Sequence, residues 1–290
     1  MKKIETRVYL KLHEAVTIST LLSASETWSL TNKEYNEMNK MELWALKRMF
    51  GLPPTTPTPA VVFATGTLYA EIRVKKRQLI YLQKVLQKEE GHWAKEILQV
   101  LRQNNIGWVQ NVEKTLEDWG LEIEWDSIKN KSRMKWKEEV EQAAEKMNRM
   151  KLREDCHIKE RKQSRQKTKT QTIIDKIDDP NYSRKPLQIM NNISALETRA
   201  LLMGRYGMLS CRANFSMGTG NKDCIRCAER DDMDHRINRC INYRDINLYD
   251  SAHKLDTTMI FSDEIEMVRP VIQRILSMWD LEHEKNTMRQ

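Results

Sequence analysis

Three cysteines and one histidine in the last third of the sequence have the spacing of a metal site. Cys224, Cys227, His235 and Cys240 form the pattern C-x2-C-x7-H-x4-C. Two cysteines in a C-x2-C pair bind one ion from a tight turn, and a histidine and cysteine five apart close the ligand set from a short helical turn. Three thiolates and a neutral imidazole around a dication give a net charge of about −1 and leave no open coordination position. The spacing therefore predicts a structural zinc site rather than a catalytic one.

The segment between Cys224 and Cys240 is too short to fold on apolar contacts alone. Domains of fewer than roughly 40 residues usually need a metal or disulfides. Structural zinc in finger peptides contributes about 10 kcal/mol or more, so we expect the ion to supply the stability of this segment. The alternative interpretation is a set of unrelated thiols and a surface histidine.

The sequence as a whole is basic and poor in glycine. Its 290 residues include 49 lysines and arginines against 41 aspartates and glutamates, which gives a formal net charge of +8. This balance favours a polyanionic partner. The 40% of hydrophobic residues and only 9 glycines favour a mainly α fold, and the length allows two or three small domains. We expect no membrane partner, because no run approaches the roughly 18 uncharged apolar residues that a membrane span requires. We expect an intracellular protein, nuclear or cytoplasmic, because the start is charged and the thiols have metal-type spacing.

Helical periodicity and capping signals dominate the first 90 residues. An apolar pattern predicts a helix from Arg7 to about Ser25. Thr31 and Glu34 form a capping-box pattern, and Gly51 stands where a left-handed residue would end the helix that follows. Apolar residues spaced three, four or seven apart predict a further helix over residues 60–87.

Tryptophans recur along the predicted helices, and the simplest interpretation is that they pack in the core. Stacking of a tryptophan on a nucleotide base is the alternative. The residues interpreted in this way are Trp28, Trp44, Trp93, Trp108, Trp119, Trp125 and Trp136.

Three basic stretches are candidates for contacting phosphates. The first is the polar face of the predicted helix 60–87, and the third is the set of arginines around the metal ligands. The second, residues 159–169, has almost no apolar residues and is expected to be a partly flexible linker. A solvated face, a soluble linker and a nuclear-import signal are the alternatives. The candidate residues are Arg73, Lys76, Arg161, Lys162, Arg165, Lys167, Arg226, Arg230, Arg236 and Arg239.

Two stretches of the sequence resemble a known family. Leu21-Leu22-Ser23-Ala24-Ser25-Glu26-Thr27-Trp28-Ser29-Leu30, followed by the predicted helix that ends at Gly51, resembles the segment beyond the polymerase core in reverse transcriptases of LINE-type (non-long-terminal-repeat) retrotransposons. Ser23 and Ala24 replace a Tyr-Gly pair that is usual in that family. The cysteine-histidine pattern is similar to the motif that closes many of those polymerases. The resemblance covers residues 16–86 and 196–243.

The resemblance implies a C-terminal, thumb to zinc-knuckle region of such an enzyme. The expected organisation is a helical thumb-like domain at 1–90, a helical connector with a basic, partly flexible linker at 91–185, and a zinc-knuckle domain with flanking helices at 186–290.

The aspartates that a polymerase needs to hold two magnesium ions are not expected in this sequence. Asp178-Asp179 runs into Pro180 in a polar stretch, and Asp231-Asp232 lies between metal ligands. Neither pair has apolar strands on both sides. We therefore expect a chain that is not an enzyme and that binds RNA and/or DNA, with the polymerase core of the same element as a further candidate partner. The alternative is a structural or protein-interaction module with a purely structural zinc site.

Overall fold

The computed structural model describes residues 5–162, 173–179, 188–206, 209, 222–224, 227–240, 255, 257–262 and 264–287. This part of the chain is helical and contains no strand, only isolated β-bridges between Glu5 and Ser194 and between Asp223 and Arg230. The predicted mainly α fold is confirmed. None of the described helices combines the length and apolar character that a bilayer crossing requires.

Between residues 32 and 162 the helices follow one another with short connections. A π-helical segment, His13–Ile18, joins the first two helices, and a short helix at 173–177 follows the longest one. The named α-helices are α1 (Thr6–Leu12), α2 (Ser19–Leu21), α3 (Asn32–Met49), α4 (Thr58–Thr65), α5 (Ala70–Leu86), α6 (Trp93–Gln103), α7 (Trp108–Trp119), α8 (Trp125–Asn130), α9 (Arg133–Lys162), α10 (Ala195–Arg205) and α11 (Ile265–Thr287).

The capping signals of α3 are confirmed. The Thr31 side chain accepts a hydrogen bond from the Glu34 amide at 3.4 Å, and the Glu34 carboxylate accepts one from the Thr31 amide at 2.7 Å. At the other end Gly51 has a φ of 61°, in the left-handed region that favours glycine. These contacts satisfy backbone groups that a helix end leaves without intrahelical partners.

The single helix predicted over 60–87 is wrong, because the chain breaks between α4 and α5. Gly66 adopts a left-handed φ of 63° and ends α4. The amides that begin α5 are then bound by side chains from other helices: Tyr69 N–H donates to Asn148 Oδ1 at 3.0 Å, and Ala70 N–H donates to Asn39 Oδ1 at 2.6 Å. Both asparagines are buried. The break is therefore stabilised by residues of α3 and α9.

Helix α5 lies at the centre of the core, in contact with α3, α7, α8 and α9. Leu79 and Leu82 are fully buried, and Trp136 of α9 packs beside them with its indole N–H donating to Leu79 O at 3.0 Å. Burying a leucine side chain contributes roughly 1.5–3 kcal/mol. The buried apolar cluster continues from Leu43 to Met278, so it includes residues from all three predicted domains. The division into those domains stays a prediction.

The tryptophans that were predicted to pack divide into three groups. Trp28 and Trp108 are partly buried and pack against the apolar clusters. Trp119, Trp125 and Trp136 are buried, as predicted. Trp44 and Trp93 expose 61% and 66% of their surface, so the prediction that they pack in the core is wrong. Each lies on the solvent side of an amphipathic helix whose other face is covered.

Helices α10 and α11 form the base for the C-terminal part. Ser194 caps α10 with a full capping box. Gly204 allows close packing, since a Cβ there would lie 3.1 Å from Ile260. The buried Arg205 donates to the carbonyl of Ile260 at 2.7 Å and to that of Ser262 at 2.6 Å. This base holds the segment that carries the metal ligands.

Candidate metal centre and basic surfaces

The metal segment, residues 222–240, begins with a tight turn that carries two of the cysteines. Cys224 N–H donates to Glu229 O at 2.6 Å, and Ala228 N–H donates to Cys224 O at 3.0 Å. Ala228 has a φ of 54°, a left-handed conformation that is uncommon outside glycine. The turn brings Cys224 and Cys227 within reach of one ion, as the C-x2-C spacing predicted.

The other two ligands lie at the ends of a π-helical turn, His235–Arg239. Cys240 N–H donates to His235 O at 2.7 Å, which is a bond between residues five apart. An α-helix places residues five apart on different faces, because it has 3.6 residues per turn. A π-helical hydrogen bond between residues five apart instead brings Cys240 back beside His235. The four-residue spacing between this histidine and this cysteine therefore fits the turn.

The four side chains meet at one point, and their donor atoms all lie within 4.8 Å of one another. Cys224 Sγ and Cys227 Sγ are 3.8 Å and 3.7 Å from Cys240 Sγ, and Cys227 Sγ is 3.3 Å from His235 Nε2. A tetrahedral zinc site with Zn–S near 2.3 Å and Zn–N near 2.05 Å has S···S edges of about 3.8 Å and S···N edges of about 3.5 Å. The sulfurs are too far apart for disulfides, which need about 2.05 Å. The residues therefore fit a metal ion, and the predicted clustering of all four is confirmed.

Polar groups hold the histidine in place. His235 is fully buried, and its Nδ1 lies 3.1 Å from Glu229 Oε2. Its backbone N–H donates to Asp232 Oδ1 at 2.8 Å. The ring nitrogen nearest the sulfurs is thus Nε2, while the other faces a carboxylate.

The metal segment is attached to the helical body by Ile237, by the partly buried Met233 and by a few hydrogen bonds. Ile237 is 2% exposed and belongs to the main apolar cluster. Its carbonyl accepts a hydrogen bond from Arg274 Nε of α11 at 3.2 Å. Asn238 exchanges two hydrogen bonds with the backbone of Leu255, at 2.8 Å and 3.0 Å. This attachment involves far fewer apolar side chains than the core does.

The arginines near the metal ligands face acidic side chains. Arg236 binds Asp231 with two parallel contacts of 2.7 Å and 2.9 Å, and Asp231 is buried. Arg230 is largely exposed and lies 3.9 Å from Asp232. Arg239 faces three carboxylates, those of Asp234 at 3.2 Å, Glu229 at 3.5 Å and Asp232 at 3.8 Å. The positive charge expected on this surface is therefore locally balanced by acids, and contact of these arginines with nucleic acid stays a prediction.

The two candidates on α5 are also paired. Arg73 exposes 11% of its side chain, and its guanidinium lies 2.9 Å from the Glu14 carboxylate and 3.4 Å from that of Glu42. Lys76 pairs with Glu141 of α9. The basic face of this helix is thus half-buried against neighbouring elements. These contacts give both residues a structural role, and their binding of phosphates stays a prediction.

The remaining candidates have no described side chains. The backbones of Arg161 and Lys162 end α9. Arg165, Lys167 and Arg226 lie outside the described residues, and so does most of the linker predicted at 159–169.

A basic groove along α3 was missed in the sequence. The α3 groove has a volume of about 800 Å³, and its walls come from α3, the loop before α4 and α9. Trp44 projects from it, with the Arg48 guanidinium 5.6 Å from its ring centroid. The charged side chains that line it are Lys33, Lys40, Lys47, Arg48 and Lys151, against Glu37 and Asp155.

Several of the groove's charges are already in contact with other groups. Lys40 lies 2.6 Å from Glu37, Lys47 donates to Pro54 O at 3.0 Å, and Lys151 contacts Glu71. Five cations against two carboxylates still leave the groove lining positive. A signal was present in the sequence, because Lys33, Lys40 and Lys47 recur every seven residues and therefore share one face of α3.

Comparisons of the chain with protein-family models, with curated proteins and with solved structures found no match. The four-donor cluster and the α3 groove are therefore the features from which a function is inferred.

Proposed function

We propose that this chain is a zinc-stabilised helical protein that binds single-stranded RNA or DNA, as a region similar to the C-terminal part of LINE-type reverse transcriptases. Zinc closes the metal segment and takes no part in a reaction. The polymerase core of the same kind of element remains a candidate partner. The proposal includes no catalytic step.

The α3 groove is the observation that carries the proposal. Its lining is positive, in a chain with a formal net charge of +8. Trp44 is 61% exposed beside Arg48, although an indole on a helix surface loses the favourable free energy of burial. An aromatic ring in a positively charged groove is the combination that proteins use to hold single strands.

The two kinds of side chain contact different parts of a single strand. Bases stack on an exposed aromatic ring and contribute roughly 1–3 kcal/mol each, while lysine and arginine neutralise phosphates. Stacking of this kind tolerates any base, so we expect little sequence preference. The flat faces of unpaired bases are accessible only in single strands, and we therefore expect weaker binding to duplex DNA.

The proposal is tested by fluorescence anisotropy with labelled single-stranded RNA, single-stranded DNA and duplex DNA. Trp44→Ala is expected to weaken single-strand binding by roughly 5- to 150-fold, the equivalent of one lost stack. Trp93→Ala is the matched control, because Trp93 is equally exposed, on α6, and does not line the groove. Negligible affinity of the wild type near 50 mM salt, or equal affinity of both variants and wild type, would contradict the proposal.

Salt dependence tests the phosphate contacts separately. Each neutralised phosphate on a single strand contributes about 0.7 to the slope of log affinity against log salt. The double variant Lys33→Gln/Arg48→Gln is therefore expected to lower the slope by about 1.4. Lys114→Gln is the control, because Lys114 is exposed on α7 and does not line the groove, and it is expected to leave the slope unchanged.

The metal is tested by elemental analysis of purified protein. One zinc per chain is expected, and Co²⁺ in its place should give the absorption of a tetrahedral thiolate site. Cys156→Ser is a control for thiol content, because Cys156 is buried away from the cluster. Wild-type protein that neither carries nor takes up zinc would contradict this part.

A protein-interaction module is the second candidate, and an apolar surface favours it. Val16 and Met41 are each 60% exposed, and they line an apolar groove of about 670 Å³ that continues to Trp44. Contiguous exposed apolar surface often marks a protein-binding site. Under this alternative none of the three oligonucleotides binds. Met41→Glu then abolishes recovery of a protein partner in cross-linking experiments.

A further inference from the structure

Glu229 contacts both halves of the metal segment. Its backbone carbonyl accepts the hydrogen bond from Cys224 N–H at 2.6 Å. Its side chain is half-exposed and reaches His235, with Oε2 3.1 Å from Nδ1. Glu229 thus connects the backbone of the cysteine turn to the Nδ1 side of the buried imidazole.

The carboxylate determines where the imidazole holds its proton. An ionised carboxylate only accepts hydrogen bonds, so the nitrogen that faces it must carry the hydrogen. A neutral His235 protonated on Nδ1 presents the lone pair of Nε2, and Nε2 is the atom 3.3 Å from Cys227 Sγ. Asp232 does not compete for the ring, because it accepts the backbone N–H of His235.

We infer that Glu229 is the positioning residue of the metal centre, which fixes His235 in the tautomer that binds the ion through Nε2. This inference rests on the proposed zinc site. A carboxylate bonded to the distal nitrogen of a metal-binding histidine orients the ring and makes it a stronger donor. Loss of such a partner typically weakens metal affinity by about 10- to 100-fold.

Arg239 places the carboxylate in this arrangement. Its guanidinium lies 3.5 Å from Glu229 and 3.2 Å from Asp234. Asp234 therefore offers a matched control, because it is a carboxylate of the same segment that contacts Arg239 and Asn238 rather than the imidazole. Removing its charge changes the electrostatics of the segment without removing the acceptor at Nδ1.

The test is zinc affinity of the full chain, measured by competition with a chromophoric chelator. Glu229→Ala is expected to weaken zinc binding by about 10- to 100-fold. Glu229→Gln keeps an amide oxygen that accepts from Nδ1–H, so its loss is expected to be smaller. Asp234→Asn is expected to stay close to wild type. Equal affinity of Glu229→Ala and wild type would overturn the inference, as would an equal loss in Asp234→Asn.

A second readout concerns the ring itself. In zinc-loaded protein, ¹⁵N shifts of His235 are expected to show a protonated Nδ1 and a metal-bound Nε2; coordination through Nδ1 would overturn the inference. Should Glu229→Ala fail to fold, this spectrum of the wild type and the affinity of Glu229→Gln still decide the matter. Wild type that takes up no zinc would overturn the metal site itself, whereas wild type that binds zinc no better than Glu229→Ala overturns only the role of Glu229.

Discussion

Helix α5 buries apolar side chains that include Ile72, Val74, Leu79 and Leu82, and it contacts helices α3, α6, α7, α8 and α9. In the described residues of the metal segment the buried apolar side chains are Ile237 and the ligand Cys240. The order of the first region therefore comes from many small contacts. The order of the second region comes from hydrogen bonds between charged and polar groups, and the four clustered donors fit an ion that would add to it.

Because of this difference, substitutions should have different structural consequences in the two regions. Packing is shared, so loss of one methyl group in α5 is felt by the whole cooperative core. The four metal ligands serve only the metal segment, and loss of one donor leaves an incomplete site in that segment. The comparison predicts local failure in the metal segment and global failure in the core.

The largest expected effect comes from removing the metal. Chelation or Cys240→Ser should abolish the order of residues 222–240, because structural zinc contributes on the order of 10 kcal/mol in finger peptides. Hydrogen exchange measured by mass spectrometry should show loss of protection there, with α5 still protected. Equal protection of residues 222–240 with and without chelator would contradict this prediction.

A smaller effect is expected from the core. Leu79→Ala should lower the free energy of unfolding by about 2–5 kcal/mol, since it removes a fully buried side chain and leaves a cavity. Urea denaturation measures the loss, and zinc affinity should not change. Val100→Ala is the control, because Val100 is 54% exposed on α6 and surface substitutions usually stay within about 0.5 kcal/mol. A Leu79→Ala variant that also lost zinc would show that the two regions are not independent.

The smallest effect is a pH dependence at Glu71 on α5. Burial would raise the pKa of Glu71, but hydrogen bonds from Lys151 and Lys75 outweigh it and hold the pKa below its ordinary value. A lowered pKa means that the stabilisation is present above the unfolded-state value of about 4.3 and is lost as the pH falls through the folded-state value.

Urea denaturation of wild type and Glu71→Gln should therefore differ at pH 7, and the difference should shrink as the pH falls below about 4.3 and through the folded-state pKa. Zinc release in acid affects both proteins alike and cancels in the difference. Glu37→Gln is the control, because the Glu37 pair with Lys40 is exposed and such pairs contribute about 0–1 kcal/mol. A constant difference at all pH values would show that charge at Glu71 is not the cause.

The features that the sequence predicted well are those with local causes. The capping box at Thr31 needs only residues three apart, and it formed as predicted. The metal ligands were found for the same reason, since all four lie within 17 consecutive residues, 224–240. Local spacing was sufficient wherever one turn of chain determines the geometry.

The features that were missed have distant causes. The break before α5 depends on Asn39 and Asn148, which approach from other helices. The exposure of Trp44 depends on which face of α3 the rest of the chain covers, and periodicity does not show this. The pairing of Arg236 with Asp231 had a signal, because acids alternate with arginines in this segment, but its geometry depends on the folded turn.

The fully buried Thr6 hydroxyl lies 3.1 Å from Ile193 O and 2.6 Å from Thr198 Oγ1, contacts that span 187 and 192 residues of sequence. During synthesis, α1 must therefore wait for nearly 200 residues to leave the ribosome before these partners exist. At roughly 5–20 residues per second this takes on the order of ten seconds or more. Contacts of such long range also slow spontaneous refolding, so α1 stays without these partners for longer than a helix that packs on its sequence neighbours.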